Sequence, residues 1–210
     1  MLSIYYQNAR SIRRKIKEFL HNLAILSKEY DIIVITESWL NKKIMEAELN
    51  NTEFLFYRQD RPSQRAERGG GVIIGVNKKL VSGVSKTLEI VSLSYEQLYI
   101  SVVKNHCKFI VGAYYIPEPN VKIFQDISMY VQDLIDNYVN YNFILIGDFN
   151  LPKVMWFRNN EITQNVYCID TEKVVLDSCN FFVEFMKGIG LRQINTIRND
   201  NGNTLDNIYK

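Results

Sequence analysis

Histidine is nearly missing from this chain. His21 and His106 are its 2 imidazoles, so any imidazole-based acid–base chemistry has two sources at most. Cysteine is sparse as well. The 3 cysteines, Cys107, Cys168 and Cys179, are odd in number and lack metal-ligand spacing; they read as reduced thiols of an intracellular protein, with no zinc site. No apolar run approaches the roughly 18 residues of a membrane span, so no membrane role is expected. The first apolar stretch is only a strand long, unlike the core of a secretory signal. An excess of one charge is also lacking. The 25 Lys+Arg and 23 Asp+Glu leave a net charge of +2, which excludes a histone-like basic protein and an acidic tail protein. It does not exclude nucleic-acid binding through a local patch. No internal repeat, low-complexity tract or interdomain linker interrupts the sequence.

What is present describes an ordinary globular domain. The 210 residues are 47% hydrophobic and 23% charged, and a chain of this length buries roughly 70% of its unfolded surface without disulfide or metal staples. Aromatics are rich, with 13 Tyr and 11 Phe. Strands are expected at Leu2–Gln7, Asp31–Glu37, Phe54–Tyr57, Val72–Val76, Leu88–Val91, Gln97–Val103, Lys108–Tyr115, Phe143–Ile146 and Thr204–Tyr209, where β-branched and aromatic residues cluster between turn formers. Helical spacing at steps of three and four marks Ser11–Glu29 and Asn120–Asn140,. Glu172–Lys187 reads as a helix stopped by Gly188 and Gly190, and Asn41–Asn50 as a short one,. Arg58–Arg68 reads as an exposed basic loop, Leu151–Asp170 as a long polar loop and Asn199–Asn203 as a turn. Strand follows strand between residues 69 and 115, so a doubly wound parallel sheet fits poorly; two stacked sheets with helices on their outer faces fit better.

Several strands end in acids or amides: Asn8, Glu37, and Asp148 with Asn150. Oxygen ligands gathered at strand ends suit a hard cation such as Mg²⁺, which takes one or two carboxylates and keeps waters for a phosphate. Each residue also has a plain reading. Glu37 alone is a strand-end surface acid, Gly147–Asn150 alone is turn chemistry, and Asn8 alone neighbours a helix N-cap.

Their order gives them more meaning. The chain reads Gln7-Asn8-Ala9-Arg10-Ser11, then Thr36-Glu37-Ser38-Trp39-Leu40, Arg68-Gly69-Gly70-Gly71-Val72, Tyr114-Tyr115-Ile116-Pro117, Gly147-Asp148-Phe149-Asn150-Leu151-Pro152 and Leu205-Asp206-Asn207-Ile208. This series resembles the endonuclease/exonuclease/phosphatase family, and within it the apurinic/apyrimidinic-type endonuclease domain of non-LTR (LINE-like) retrotransposons. The resemblance runs from residue 2 to the last residue. It implies an α/β (α+β) fold: a four-layered sandwich of two mixed β-sheets face to face, with helices outside. It also implies Mg²⁺ (or Mn²⁺) on Glu37 with Asn8 beside it. Asp148 would activate the attacking water, Asn150 would hold the scissile phosphate and the nucleophile, and Tyr115 would touch a phosphate oxygen or the leaving group. The implied reaction is a single-strand DNA nick leaving a 3′-hydroxyl, which primes reverse transcription by a partner domain of the parent polyprotein. That work implies a nuclear location.

Two departures from the family pattern matter. An acid often stands two residues after the first Asn; here Arg10 stands there, so the metal would rest mainly on Glu37. The family also ends in a Ser-Asp-His strand lying beside the N-terminal strand, whose His Asp206 would orient. The chain ends at Lys210 without it, so residues 1–210 are expected to form one C-terminally truncated domain lacking the last strand, with an open sheet edge and weak or no nuclease activity. For DNA contact, Arg10, Arg13 and Arg14, with Lys15 and Lys17, form one basic cluster, and Arg58, Arg61, Arg65 and Arg68 form another,. Trp156 reads as cover for apolar surface. Two other readings stand beside the endonuclease. One is an inactive fragment or a scaffold that binds DNA or a partner; the other is a phosphatase or phosphodiesterase of the same fold.

Overall fold

Successive side chains of a strand point to opposite faces, and the central strands of this chain carry apolar residues on both faces,. The computed structural model describes residues 1–42, 49, 53–62, 69–88, 94–151, 154–158, 164–168, 173–195 and 206–210. In the first sheet, β1 (Ile4–Asn8) runs parallel to β2 (Ile32–Thr36), while β3 (Phe54–Gln59) and β4 (Val72–Asn77) complete the order β1-β2-β4-β3 through antiparallel pairs. The second sheet contains β5 (Val84–Leu88), β6 (Glu96–Lys104), β7 (Cys107–Tyr115) and β8 (Asn142–Asp148). A separate two-stranded ribbon joins β9 (Val154–Arg158) to β10 (Gln164–Cys168), and β11 (Asp206–Tyr209) completes the second sheet in the order β11-β8-β7-β6-β5. Its β7–β8 pair is parallel and the others antiparallel, so both sheets are mixed.

The side-chain parity then builds four layers. Ile32, Val34 and Ile74 of the first sheet meet Ile100, Val111 and Ile144 of the second in the central core. The opposite face of the first sheet, with Ile33 and Ile35, packs on Phe19, Leu20 and Leu23 of helix α1 (Ile16–Leu26). The outer face of the second sheet carries helices α2 (Val121–Asn137) and α3 (Lys173–Gly188), whose Phe124 and Phe182 stack with ring centroids 4.5 Å apart. Asn120 caps α2, its side chain accepting the Ile123 N–H at 3.1 Å,. Helix, sheet, sheet, helix is the expected sandwich.

Several elements differ from their sequence-based expectation. The first helix starts at Ile16, not Ser11, because Arg10 and Ser11 have left-handed backbones and Ser11 and Ile12 donate to the carbonyls of Glu37 and Ser38. Those bonds hold the segment against the end of β2 before it can wind. The polar stretch 151–170 is not one long loop: it contains the β9–β10 ribbon. The two strands carry Val154, Trp156, Phe157, Val166 and Tyr167, whose strand preference the polar residues of the stretch mask. The strand expected at Leu88–Val91 is found at Val84–Leu88, with residues 89–91 outside the described set. Arg58 and Gln59 belong to β3, while Arg65 and Arg68 lie outside the described residues, as do most of the expected helix 41–50 and the turn 199–203. The outer edge of β11 is partnered by residues 192–194, Ile194 N–H donating to Ile208 O at 2.7 Å. Among the described residues β1 pairs only with β2. No helix among them is long and apolar enough to cross a membrane. Cys107 and Cys179 are free thiols.

Candidate active site

The parity that fills the central core also delivers the polar side chains. In β8, Ile144 and Ile146 face the opposite sheet, and the next residue of that parity is Asp148. In β7, Val111 and Ala113 lead in the same way to Tyr115. In β1, Ile4 and Tyr6 lead to Asn8, and in β11 Ile208 shares its face with Asp206. The inter-sheet core thus turns polar at one end. Glu37 is the exception, since β2 parity would send it toward α1. Its left-handed backbone (φ 51°) breaks the strand and swings the carboxylate back to Asn8.

Asn8 joins the two sheets. Its Nδ2 donates to Glu37 Oε1 at 3.0 Å and to Asp148 Oδ2 at 2.9 Å. The second oxygen of Glu37 accepts from Trp39 Nε1 at 3.3 Å. Asp148 Oδ1 accepts the backbone N–H of Asn150 at 3.1 Å, and Asn150 Nδ2 donates to Ile116 O at 2.9 Å. Asp206 lies directly across from Asp148 in the β8–β11 register, and its carboxylate accepts from the Tyr6 hydroxyl, which also bonds Thr36 Oγ1 at 3.0 Å. Among the described residues, left-handed non-glycine backbones occur at Arg10, Ser11, Glu37, Trp39 and Asn150, and elsewhere only at Asn105 and His106 in the β6–β7 turn. Each such residue costs about 1–3 kcal/mol, and the surrounding hydrogen bonds hold them.

The site is strongly acidic. Burial, then the nearby Asp206 charge, push the Asp148 carboxyl from 3.8 up to about 7, with Glu37 adding to the rise and the Asn150 and Asn8 hydrogen bonds opposing it. Burial and Glu37 raise Asp206 as well, against the Tyr6 hydrogen bond and the charge of Arg10. Tyr115 is pushed up to about 12, by burial first and by Glu37 second. Carboxyl groups that resist ionisation because of one another suit a cation between them. Among the described residues no group of three His, Cys, Asp or Glu side chains is arranged to hold a metal ion by itself. Mg²⁺ needs only one or two carboxylates, since it keeps water and phosphate oxygens for its other positions. Glu37, with Asn8 beside it, would hold it.

The structure thus brings Asn8, Glu37, Tyr115, Asp148, Asn150 and Asp206 to one end of the sandwich. Arg10 and Arg13 are exposed on the same N-terminal segment, and Arg10 is close enough to act on Asp206. The side chain of Arg14 and all of Arg68 lie outside the described residues. Arg61 is tied at 3.0 Å to Glu96, a buried acid, and its guanidinium lies 5.5 Å from the centre of the Tyr115 ring. Sequence reading singles out neither Tyr6 nor Glu96, and it gives Trp39 a place in a motif but no role. Tyr6 had a signal, sharing strand parity with Asn8; Glu96 had another, an acid on the inward face of an apolar strand.

Among the described residues, neither histidine is hydrogen-bonded to a residue of this site. His21 is exposed on α1, and His106 is exposed in the β6–β7 turn. The register pairs Glu96 with Tyr115 at one end of that hairpin and Lys104 with Cys107 at the other, so the turn lies roughly 27 Å from the site at about 3.3 Å per residue.

No family model and no curated protein matches the chain. Solved structures do. The endonuclease domain of TRAS1, a telomere-specific non-LTR retrotransposon, superimposes with a TM-score of 0.63 at 10% identity, covering 99% of this chain and 83% of that one. The human Nocturnin catalytic domain gives 0.61 at 10% identity, covering 99% and 80%. The AP endonuclease LMAP from Leishmania major gives 0.62 at 14% identity, covering 99% and 78%. All three have the endonuclease/exonuclease/phosphatase fold.

Proposed function

From the endonuclease/exonuclease/phosphatase fold that this chain has, we propose a metal-dependent phosphodiesterase that nicks one strand of DNA, in the service of non-LTR retrotransposition. The observation that carries the reading is the Asn8 bridge. One amide draws an acid from each sheet, Glu37 and Asp148, to one point at the end of the inter-sheet core. Asp148 takes the proton of the attacking water as its oxygen joins phosphorus. The bond from phosphorus to the 3′ oxygen breaks and that oxygen takes a proton from solvent, leaving a 3′-hydroxyl and a 5′-phosphate. Asn150 and Tyr115 hold the phosphate, and Tyr6 orients Asp206. A bound Mg²⁺ would neutralise charge on the phosphate oxygens. Arg10 and Arg13 contact flanking phosphates, a reverse transcriptase of the same polyprotein extends the 3′ end, and the setting is nuclear. In support, the TRAS1 endonuclease domain shares the fold, and the motif wording points to the same branch.

No imidazole is placed to protonate the departing 3′ oxygen, so nicking by these 210 residues is slow. Accordingly, His21→Ala and His106→Ala leave the plasmid-nicking rate within about twofold of the parent, because a positioned acid–base group would cost at least about 10²-fold. A large loss in either variant would show that the acid comes from that histidine.

Metal binding has a readout of its own. In the metal-free chain Asp148 binds its proton up to about 7, whereas the unfolded group has lost it above 3.8. Stability from this group therefore falls as pH rises through that window and stays reduced above it. Mg²⁺ should raise Tm more at pH 8 than at pH 5; an equal shift at both would place the ion elsewhere. The reading as a whole is tested with supercoiled plasmid and inositol phosphates side by side. Mg²⁺-dependent relaxed circles without phosphate release support a nuclease, and the opposite pattern supports a phosphatase.

A further inference from the structure

One cluster lies against the acidic site and has no part in the chemistry above. Arg61 Nε donates to Glu96 Oε1 at 3.0 Å, with side chains 12% and 0% exposed. Glu96 opens β6 directly opposite Tyr115 in the β6–β7 register, and the Arg61 guanidinium lies over the Tyr115 ring, 5.5 Å from its centre. On its other side the guanidinium is seated on two glycines. A Cβ on Gly70 would stand 2.4 Å from Arg61 Nε, and one on Gly69 2.9 Å from Nη1. Both glycines have left-handed backbones, with φ +67° and +94°, so the chain turns there as only glycine does easily. Gly70 O in turn accepts the backbone N–H of Trp39, whose indole holds Glu37. A continuous path thus runs from the Glu37 loop through Gly70 and Arg61 to Tyr115.

We propose that Arg61 is a positioning residue for Tyr115. Clamped by Glu96 and seated on the Gly69–Gly70 platform, it fixes the phenol at the wall of the site and acts on DNA through that phenol, not as a separate phosphate contact. The charge of Glu96 is spent on Arg61, whose side chain is 12% exposed and lies between that acid and the Tyr115 ring. A planar group is required, because ammonium would keep the charge and lose both the flat seat on the ring and the directed bond. This inference rests on the reading that Tyr115 meets the reacting phosphate.

The test compares the parent with Arg61→Lys, Gly70→Ala and Tyr115→Phe, and with Arg61→Lys combined with Tyr115→Phe. Thermal unfolding of each variant confirms that it is folded. Misplacing a group by about 1 Å can cost about 10²-fold. Arg61→Lys and Gly70→Ala are therefore expected to lower kcat about 10- to 100-fold, with KM within about twofold and no further loss once Tyr115 is Phe. A raised KM for Arg61→Lys with kcat unchanged would make Arg61 a phosphate contact and overturn the proposal, as would losses that add to that of Tyr115→Phe. A second measurement does not need catalysis. In protein labelled with 3-fluorotyrosine, the resonance of residue 115, assigned by its loss in Tyr115→Phe, should shift in Arg61→Lys and in Glu96→Gln. If the parent does not nick, or Tyr115→Phe nicks as fast as the parent, the proposed function or the role of Tyr115 in it is wrong. The fluorine signal then decides the clamp alone: a shift supports it and an unmoved resonance overturns it.

Discussion

Asp148→Asn is expected to lower the nicking rate by about 10²–10⁴-fold, the loss typical of a positioned proton acceptor, and at the same time to raise Tm at pH 8 without metal. The two effects share one cause. Burial first, then the charge of Asp206 across the register and that of Glu37, push the Asp148 carboxyl upward. An amide removes that repulsion, so the fold gains. It also removes the only group, among the described residues, bonded to both Asn8 and the Asn150 backbone that can take a proton from water. Plasmid nicking and thermal unfolding of the same preparation read the pair. A variant that loses activity and Tm together would show that Asp148 is there for structure.

The largest stability loss is expected one residue earlier. A Cβ on Gly147 would stand 2.1 Å from the carbonyl oxygen of Tyr114 and 2.8 Å from its backbone nitrogen. Those atoms are backbone of β7, paired with β8 in the middle of the second sheet, and no side-chain rotation can move them. Gly147→Ala must part the strands, so it should cost about 3 kcal/mol or more, at the upper end for overpacked interiors. Because Tyr115 and Asp148 are the next pair in that register, activity should fall with it. Gly188→Ala is the control. Nothing lies within 4 Å of a Cβ there, so on α3 it should be neutral or stabilising by about 0.5–1 kcal/mol. Urea unfolding measures both; similar midpoints for the two variants would contradict the account.

Much of the fold was legible because the signal is local. The all-apolar run of β2 and the three-and-four spacing of α2 follow from a few consecutive residues, and the strand-after-strand stretch from 69 to 115 pointed to stacked sheets. Asn8, Glu37, Asp148 and Asn150 stand out in the sequence as acids and amides at or just past strand ends, whereas Tyr115 and Asp206 are named only through the motif series that resembles the family. What stayed hidden depends on distant partners. Tyr6 meets Asp206 across 200 positions of sequence, and Arg61 meets Glu96 across 35. No local pattern encodes either pair. The late start of α1 was hidden for the same reason: the apolar spacing runs through residues 12–16, but hydrogen bonds to the Glu37 loop hold Ser11 and Ile12 out of the helix. Glu37 itself was found in spite of strand parity, since only its left-handed backbone turns it toward Asn8.

The central claim is that the acids gathered by Asn8 form a metal-dependent DNA-nicking site. The most direct measurement follows supercoiled plasmid incubated with the 210-residue chain and Mg²⁺, beside Asp148→Asn and a chelator control, and then offers the products to a DNA polymerase. The account predicts slow conversion to relaxed circles whose 3′ ends are extended at once, with none in the variant or the chelator. Nicking that persists in Asp148→Asn, or ends that cannot be extended, would contradict it.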